Sequence, residues 1–303
     1  MTPATRKRHP GRRLAGFTIV EMIMTMVITA IVAGMVSVFI AGPVKGYVDG
    51  ARRAALTDAA DLSLRRLSRE MRVALPNSLR VTAAADGNYY VEFIVTRGGG
   101  AFSPTSGFFG GSTNCATTPA NCQFAVTSPM PGNPALASGA SGDLIVINNT
   151  NSSDTTSQYN AYACGSLANC NIAQVSNVAG STVTLKPGAS GFNVFGFPAP
   201  STSRFQVVPF GIQAVTYSCP IAPAKGALVR YWNYGLNGTP AAAIAAATAG
   251  SSSTTMANNA SCSVAYPATA QSFGVLIVTL TLTDSAGVES VTLMREIHQD
   301  NTP

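Results

Sequence analysis

The stretch Gly16–Ala41, GFTIVEMIMTMVITAIVAGMVSVFIA, constrains this chain more than any other part of it. From Phe17 to Ala41 the twenty-five residues include a single charged one, Glu21. As a helix rising 1.5 Å per residue, a run of ~20 apolar residues crosses a bilayer. The preceding TRKRHPGRR carries Arg6, Lys7, Arg8, Arg12 and Arg13. Under the positive-inside rule these hold the N-terminus in the cytoplasm and send everything after Ala41 across the membrane. A secretory signal has an apolar core of only ~7–15 residues ahead of a small-residue cleavage site. The present run is too long for that, and it contains an acid.

Glu21 is the informative residue. A carboxylate in hydrocarbon costs a few kcal/mol even on lenient insertion scales, so intramembrane acids usually have a partner. The five upstream basic residues stay at the membrane surface. A cut between Gly16 and Phe17 would supply a partner, placing a new α-amine four residues from Glu21 or beside the Glu21 of a neighbouring chain.

Gly16-Phe17-Thr18-Ile19-Val20-Glu21, behind a basic leader and ahead of about twenty apolar residues, resembles the prepilin cleavage motif of type IV pilins and type II secretion pseudopilins. The resemblance implies that a prepilin peptidase removes residues 1–16 and N-methylates Phe17. It implies further that Glu21 guides docking into a helical filament of major and minor pilins, at an inner-membrane assembly platform. The expected fold is α+β. A long N-terminal helix over residues 17–75, membrane-spanning over 17–41 and amphipathic afterwards, packs on an antiparallel β-sheet head over 76–303 whose loops are pinned by disulfides. The precursor is then a single-pass inner-membrane protein with its head in the periplasm, and the mature subunit belongs to an extracellular filament.

The body of the chain is also similar to large minor pilins. LSLRRLSREMRVALPNSLRV resembles the corresponding helix of large minor pilins and of minor pseudopilins. RFQVV, VTYSC (Val215–Cys219), LVRYWNY (Leu228–Tyr234) and the terminal EIHQDNTP (Glu296, His298, Asn301, Pro303) resemble minor pilins of the mannose-sensitive haemagglutinin (MSHA) type. That resemblance implies a place at or near the filament tip, supporting pilus biogenesis and adhesion or motility. A secretion pseudopilus is the alternative.

Beyond Ala41, Gly42-Pro43 is expected to kink or loosen the helix. From Tyr47 to Leu75, Leu56, Ala60, Leu64, Leu67, Met71 and Leu75 recur every three or four residues as one apolar stripe. Arg52, Arg53, Arg65, Arg66, Arg69 and Arg72 fall mostly off it, as a solvated face or as contacts to acidic groups on neighbouring subunits. Pro76-Asn77 should end the helix.

After Pro76 the pattern alternates. Tyr89–Val95, Asp143–Asn148, Ser181–Leu185, Arg204–Phe210, Ile212–Ser218, Ala227–Trp232, Phe273–Leu282 and Val288–Arg295 read as strands, the last two as a hairpin through Thr283–Gly287. Leu276, Val278, Leu280 and Leu282 share one face, expected to lie on the helix stripe. Thr96–Asn121 and Thr239–Ala260 read as exposed loops, with Ala241–Ala247 a possible short helix.

Six cysteines, Cys115, Cys122, Cys164, Cys170, Cys219 and Cys262, all follow the span. In an oxidising compartment an even number implies disulfides, with fifteen pairings open. Local spacing favours Cys115–Cys122 and Cys164–Cys170, which leaves Cys219–Cys262. Zinc spacing is absent. Of the two histidines, His9 is in the leader and His298 near the end, where Asp284, Glu289 and Asp300 are its conceivable partners and a solvated tail is the plainer reading. Glu296 and Asp300 are thin material for a calcium site. The sequence carries no phosphate loop, HExxH or nucleophile elbow, so no enzyme, cofactor or metal is expected. Residues 76–303 hold seven basic against eight acidic groups, which argues against nucleic-acid binding. Tyr231, Trp232 and Tyr234 are the one hint of a binding surface, with sheet packing as the plainer reading.

Overall fold

The computed structural model describes residues 16–103, 122–128, 136–163, 171–186, 203–267 and 274–299. The chain divides into two compact units, one up to Arg52 and one from Arg53 onward. One helix, α1, is assigned over Ile19–Arg72. Pro43 lies inside it without ending it, so the helix runs on through Gly42-Pro43. A single proline removes one N–H donor, and the neighbouring bonds still hold the turn.

α1 stops at Arg72, three residues before the expected Leu75. Leu75 precedes Pro76, whose ring disfavours helical geometry at the residue before it. The last turn closes tightly, with Val73 N–H donating to Glu70 O and Ala74 N–H to Met71 O. The chain then pairs as strand, Leu75 N–H donating to Ile94 O at 2.7 Å and Thr96 N–H to Val73 O at 2.9 Å.

The second unit carries two antiparallel sheets where one was expected. The larger has seven strands in the order β1-β2-β9-β10-β11-β12-β13. These are β1 (Arg80–Ala83), β2 (Asn88–Ile94), β9 (Ala214–Pro220), β10 (Gly226–Trp232), β11 (Ser252–Ala265), β12 (Val275–Thr283) and β13 (Ser290–His298). The smaller has six in the order β3-β8-β5-β6-β7-β4. Its members are β3 (Gly98–Ala101), β4 (Gln123–Ala125), β5 (Leu144–Val146), β6 (Ile172–Ala179), β7 (Thr182–Leu185) and β8 (Arg204–Val208). The chain crosses between the sheets twice, from β2 into β3 and from β8 into β9.

The helix stripe meets the larger sheet. Ala60, Leu64, Leu67 and Met71 form one core with Leu276, Val278, Leu280 and Leu282 of β12 and with Phe93, Val215, Tyr217 and Cys262. Each fully buried Leu removes apolar surface worth ~2 kcal/mol. Leu75, expected to extend this stripe, instead packs at the junction of the two sheets with Ile94, Leu144, Val146, Tyr162, Val208 and Ala214. The smaller sheet has its own core, in which the Phe124 ring packs edge-on against Phe102 and Phe205. Close approach there requires glycine: a Cβ on Gly142 would collide with Val175 O.

The β12–β13 hairpin forms as read, in unbroken register from Val275↔His298 to Thr283↔Ser290. Its turn places Gly287 at φ 74°, and Asp284 Oδ1 accepts from Val288 N–H at 2.8 Å. Thr239–Ala260, expected as a loop, is ordered in two ways. Thr239 caps α2 (Pro240–Gly250), its hydroxyl oxygen accepting from Ala242 N–H at 3.3 Å with Pro240 at the first helical position. β11 follows directly as a central strand paired on both sides. Part of the other expected loop, Thr96–Asn121, is strand β3; residues 104–121 lie outside the described ones.

Candidate functional site

The N-terminal segment is built around a helix start. Gly16, Phe17 and Thr18 are non-helical and exposed, and α1 begins at Ile19. Thr18 is the cap: its Oγ1 accepts from Glu21 N–H at 3.3 Å, and its carbonyl accepts from Met22 N–H at 3.2 Å. Thr18 and Glu21 thus hold the spacing of a capping box, with the acid in the positively polarised first turn. The Gly16–Phe17 bond sits two residues ahead of the helix, where backbone is open to an attacking enzyme. Gly16 itself has no local reason to be glycine, because a Cβ there meets nothing within 4 Å. The basic residues Arg6–Arg13 lie outside the described residues.

From Phe17 to Tyr47 the apolar side chains are exposed, Phe17 at 80% and Phe39 at 82%. The helix is long and apolar enough to cross a membrane. Its hydroxyls are satisfied internally: Thr25 Oγ1 donates to Met22 O at 3.0 Å, Thr29 Oγ1 to Thr25 O at 2.7 Å and Ser37 Oγ to Ala33 O at 2.8 Å. Such bonds return the hydroxyl proton to the backbone, which suits hydrocarbon surroundings. Glu21 is the one group there without that option.

The C-terminal part of α1 is fixed on the larger sheet by ion pairs as well as by its stripe. Glu70 is the hub, its Oε1 3.3 Å from Arg66 Nε and its Oε2 2.9 Å from Arg230 Nε. Tyr217 Oη donates to Glu70 Oε2 at 2.9 Å, and the Arg230 guanidinium lies 4.6 Å from the Trp232 ring centroid. Asp61 takes Arg295 at 3.2 Å and also pairs with Arg65, while Arg53 reaches Glu289 at 3.2 Å. The arginines therefore divide. Arg53, Arg65 and Arg66 have partners within the second unit, whereas Arg69 and Arg72 make no ion pair among the described residues.

A second ionic centre, not anticipated from sequence, lies under β1 and β2. Arg80 and Glu92 are both buried and 2.6 Å apart. Arg80 also donates to Gly238 O and Asn237 O, each at 3.0 Å, and its guanidinium lies 3.5 Å from the Tyr162 ring centroid. Tyr234 Oη donates to Glu92 Oε1 at 3.0 Å. Burial pushes the Glu92 carboxyl up, opposed by the Arg80 charge, and pushes the Tyr162 and Tyr234 phenols well up. The β1–β2 register sets Arg80 opposite Glu92, a pairing that the sequence alone did not signal.

Cys219 and Cys262 form a disulfide with Cα atoms 5.9 Å apart. Cys122 is also disulfide-bonded, its partner lying outside the described residues, as do Cys115, Cys164 and Cys170. His298 sits on β13 rather than in a tail, with Nε2 3.1 Å from Glu296 Oε1. Its other expected partners are elsewhere: Asp284 caps the hairpin turn, Glu289 pairs with Arg53, and Asp300 lies outside the described residues. No group of three His, Cys, Asp or Glu side chains able to hold a metal occurs among the described residues. Of the aromatic run, Tyr234 is committed to Glu92 and to Thr216, 2.6 Å away, and Trp232 packs on the core and Arg230.

A family model for the prokaryotic N-terminal methylation motif matches residues 11–37. Neither a curated protein nor a solved structure matches the chain. The motif match supports a type IV pilin-like or pseudopilin role and processing by prepilin peptidase, and it covers the leader junction, the capped helix start and Glu21.

Proposed function

We propose that the chain is the precursor of a minor pilin, a structural subunit of a type IV pilus of the MSHA kind. Prepilin peptidase cuts between Gly16 and Phe17 and methylates the Phe17 amine. The released α1 then leaves the inner membrane for the filament, carrying the head from the periplasm to the cell exterior. The observation that carries this reading is the placement of a single acid, Glu21, in the first helical turn of an exposed apolar span. The open Gly16–Phe17 junction lies directly before it, inside a methylation motif.

The glycine supports the peptidase reading. Since the chain's own fold makes no demand for Gly16, the demand is assigned to the enzyme that must accept the residue before the cut. The large two-sheet head supports minor status and a site at or near the tip, where no subunit above restricts its volume. Arg80, Glu92, Arg97, Asp143, Arg230 and Arg295 are engaged in ion pairs within the fold, which supports a structural role for them. A minor pseudopilin of a type II secretion system is the alternative, since the same helix and motif serve both assemblies.

Mass spectrometry of the mature protein tests the core of the proposal. The expected N-terminal residue is Phe17 with one added methyl group, and a mature chain beginning anywhere else overturns it. His298→Ala should leave assembly and surface display unchanged.

A further inference from the structure

β13 ends the larger sheet and is paired with β12 on one side only. Its nine residues run without a register break, a proline or a glycine. Asp284 N–H donates to Glu289 O and Gln299 N–H to Gly274 O, which fixes the phase of the ladder. Backbone groups along an antiparallel strand alternate sides, so the odd-numbered residues of β13 bond to β12. Ser290, Thr292, Met294, Glu296 and His298 turn their N–H and C=O groups outward, where no backbone group pairs with them among the described residues. We propose that this edge joins a second copy of the chain, β13 against β13, as a two-fold antiparallel strand pair. The contact goes beyond filament assembly and does not rest on it, because it uses residues of the second unit alone.

The other sheet edges are short or already joined. In the smaller sheet the bridge Phe102↔Val126 links the ends of β3 and β4, with Ser103 N–H donating to Ala125 O and Thr127 N–H to Ala101 O, each at 2.9 Å. β1 spans only four residues, and beside it Ser152 Oγ donates to Leu79 O at 3.4 Å. β13 lacks the usual guards of an edge strand. It has no lysine, proline or bulge, and its one arginine, Arg295, is turned to Asp61 on α1. The outward face instead presents Met294 at 72% exposure. An apolar side chain in the middle of a long open edge is the arrangement that strand addition uses.

The order of residues along the edge selects a second copy as the occupant. With Met294 opposite its own counterpart, Thr292 faces Glu296 and Ser290 faces His298, so all five outward residues are matched. Each matched pair exchanges two backbone hydrogen bonds, about ten for the interface. The two Met294 side chains cover one another at the axis. Thr292 Oγ1 already shares a 2.8 Å bond with Thr281 Oγ1, and as both donor and acceptor it can donate onward to the facing Glu296 carboxylate. Ser290 likewise meets the imidazole of His298. No like charges stand opposite one another in this register. Every other two-fold register leaves some of the five unmatched, and the one centred on Glu296 sets two carboxylates face to face, which is destabilising. The surface is thus self-complementary, as an isologous contact requires.

The test is sedimentation equilibrium of the full chain in density-matched detergent, with disulfide trapping to read the register. The wild-type chain should form a reversible dimer. Met294→Lys places two like charges at the axis, and Met294→Pro removes an outward N–H from each copy while leaving the bonds to β12 in place. Each should weaken the dimer by ~10-fold or more. Met294→Lys changes only an exposed side chain, so it keeps the test alive if Met294→Pro does not fold. On mild oxidation Met294→Cys should give a covalent dimer, since directly paired Cα atoms lie ~5.5 Å apart, within disulfide reach. Thr292→Cys alone should not, because four residues of offset place its counterpart ~13 Å along the strand. A mixture of Thr292→Cys and Glu296→Cys should cross-link. A chain that stays monomeric, a dimer indifferent to Met294→Lys and so held by the apolar span, or trapping that ignores this register would each overturn the assignment.

Discussion

Glu70 on α1 accepts a hydrogen bond of 2.9 Å from Arg230 on β10, and this pair anchors the helix to the middle of the larger sheet. Both side chains are largely withdrawn from water, Arg230 at 7% exposure and Glu70 at 16%. Removing one partner of such a pair strands the other, which typically costs ~3–5 kcal/mol when burial is complete. Glu70→Ala should therefore lower the urea midpoint by the equivalent of about 3 kcal/mol, since Arg66 and Tyr217 lose their acceptor as well. Glu70→Gln should fall between, keeping the acceptor but not the charge. The paired replacement Glu70→Met with Arg230→Met should recover much of the loss. If Glu70→Ala unfolds at the wild-type midpoint, the stripe alone holds the helix.

The Cys219–Cys262 bond closes a loop with a sequence separation of 43 residues, containing β10 and α2. It joins β9 to β11 where β10 has begun with an irregular register, next to the parallel bridge Ile221↔Cys262. The loop-entropy relation gives ~4 kcal/mol for a loop of this size. Cys219→Ala with Cys262→Ala should destabilise the head by about that amount. The expected sign of local damage is faster amide exchange in β11 than in β12. Equal protection in both strands would show that the ladders alone define β11.

How much of this was legible beforehand follows from which residues carry each feature. The span, the stripe and the β12–β13 hairpin were readable because apolar residues there repeat at the period of their own element. β11 was not, because SSTTMANNASCSVA has hardly any apolar alternation. It is a strand through pairing with β10 and β12, with Ala260 and Cys262 buried in the core and Met256, Ala257 and Val264 packed against it. α2 was legible in part, since the run Ala241–Ala247 read as a short helix within the expected loop, while the cap and first-turn signal Thr239-Pro240 was not used. The smaller sheet was half visible as strands, but β6 has too little alternation to identify it. At the candidate site, Gly16, Phe17 and Glu21 were singled out through the resemblance of Gly16–Glu21 to a prepilin cleavage motif. Thr18 was not singled out, although T-x-x-E before an apolar run is a capping signature. The Glu70 and Arg80 centres depend on tertiary register, which no local pattern encodes.

Four buried or half-buried tyrosines make the head sensitive to alkali. Burial raises the Tyr217 phenol, reinforced by the neighbouring Glu70, and raises Tyr162 and Tyr234 well above the usual range. Tyr90 is pushed up to about 12 by burial and by its bond to Asp86. A raised folded-state pKa means that the folded head holds these protons more tightly than the unfolded chain does. The associated stability is fully present below the ordinary phenol value of ~10 and is lost as pH rises through the folded values. The urea midpoint should thus be flat up to pH ~9 and fall steeply above ~10. Phenolate absorbance from these four should appear together with unfolding, not before it. Tyr217→Phe should shallow the decline, and a midpoint unchanged to pH ~11 would contradict the assignment.

Glu21 carries the last prediction. In the precursor it lies one turn into the helix, close to the basic leader side of the membrane, where water and the first-turn N–H groups can serve it. In a filament the same carboxylate is enclosed by packed apolar helices, where lacking a partner it costs several kcal/mol. On the proposed function, a Phe17 amine freed by cleavage would offset much of that, either on the same chain or on its neighbour. Glu21→Ala should leave insertion and cleavage intact while reducing entry into filaments, and Glu21→Gln should resemble it because the amide keeps shape but not charge. Gly16→Ala should be processed slowly, and Gly16→Leu should not be processed, even though a Cβ at this position meets nothing within 4 Å. Thr18→Val removes the cap and should fray the helix start by ~1 kcal/mol. Thr18→Ser should preserve it, so that a processing defect in Thr18→Val alone marks the cap as the cause. The readout for each variant is the ratio of protein in sheared filaments to protein in the inner membrane, with the mature N-terminus checked by mass. Normal incorporation of Glu21→Ala would show that the carboxylate is not the docking determinant, leaving other contacts to direct assembly, such as those of Arg69 and Arg72 at the end of α1, which make no ion pair among the described residues.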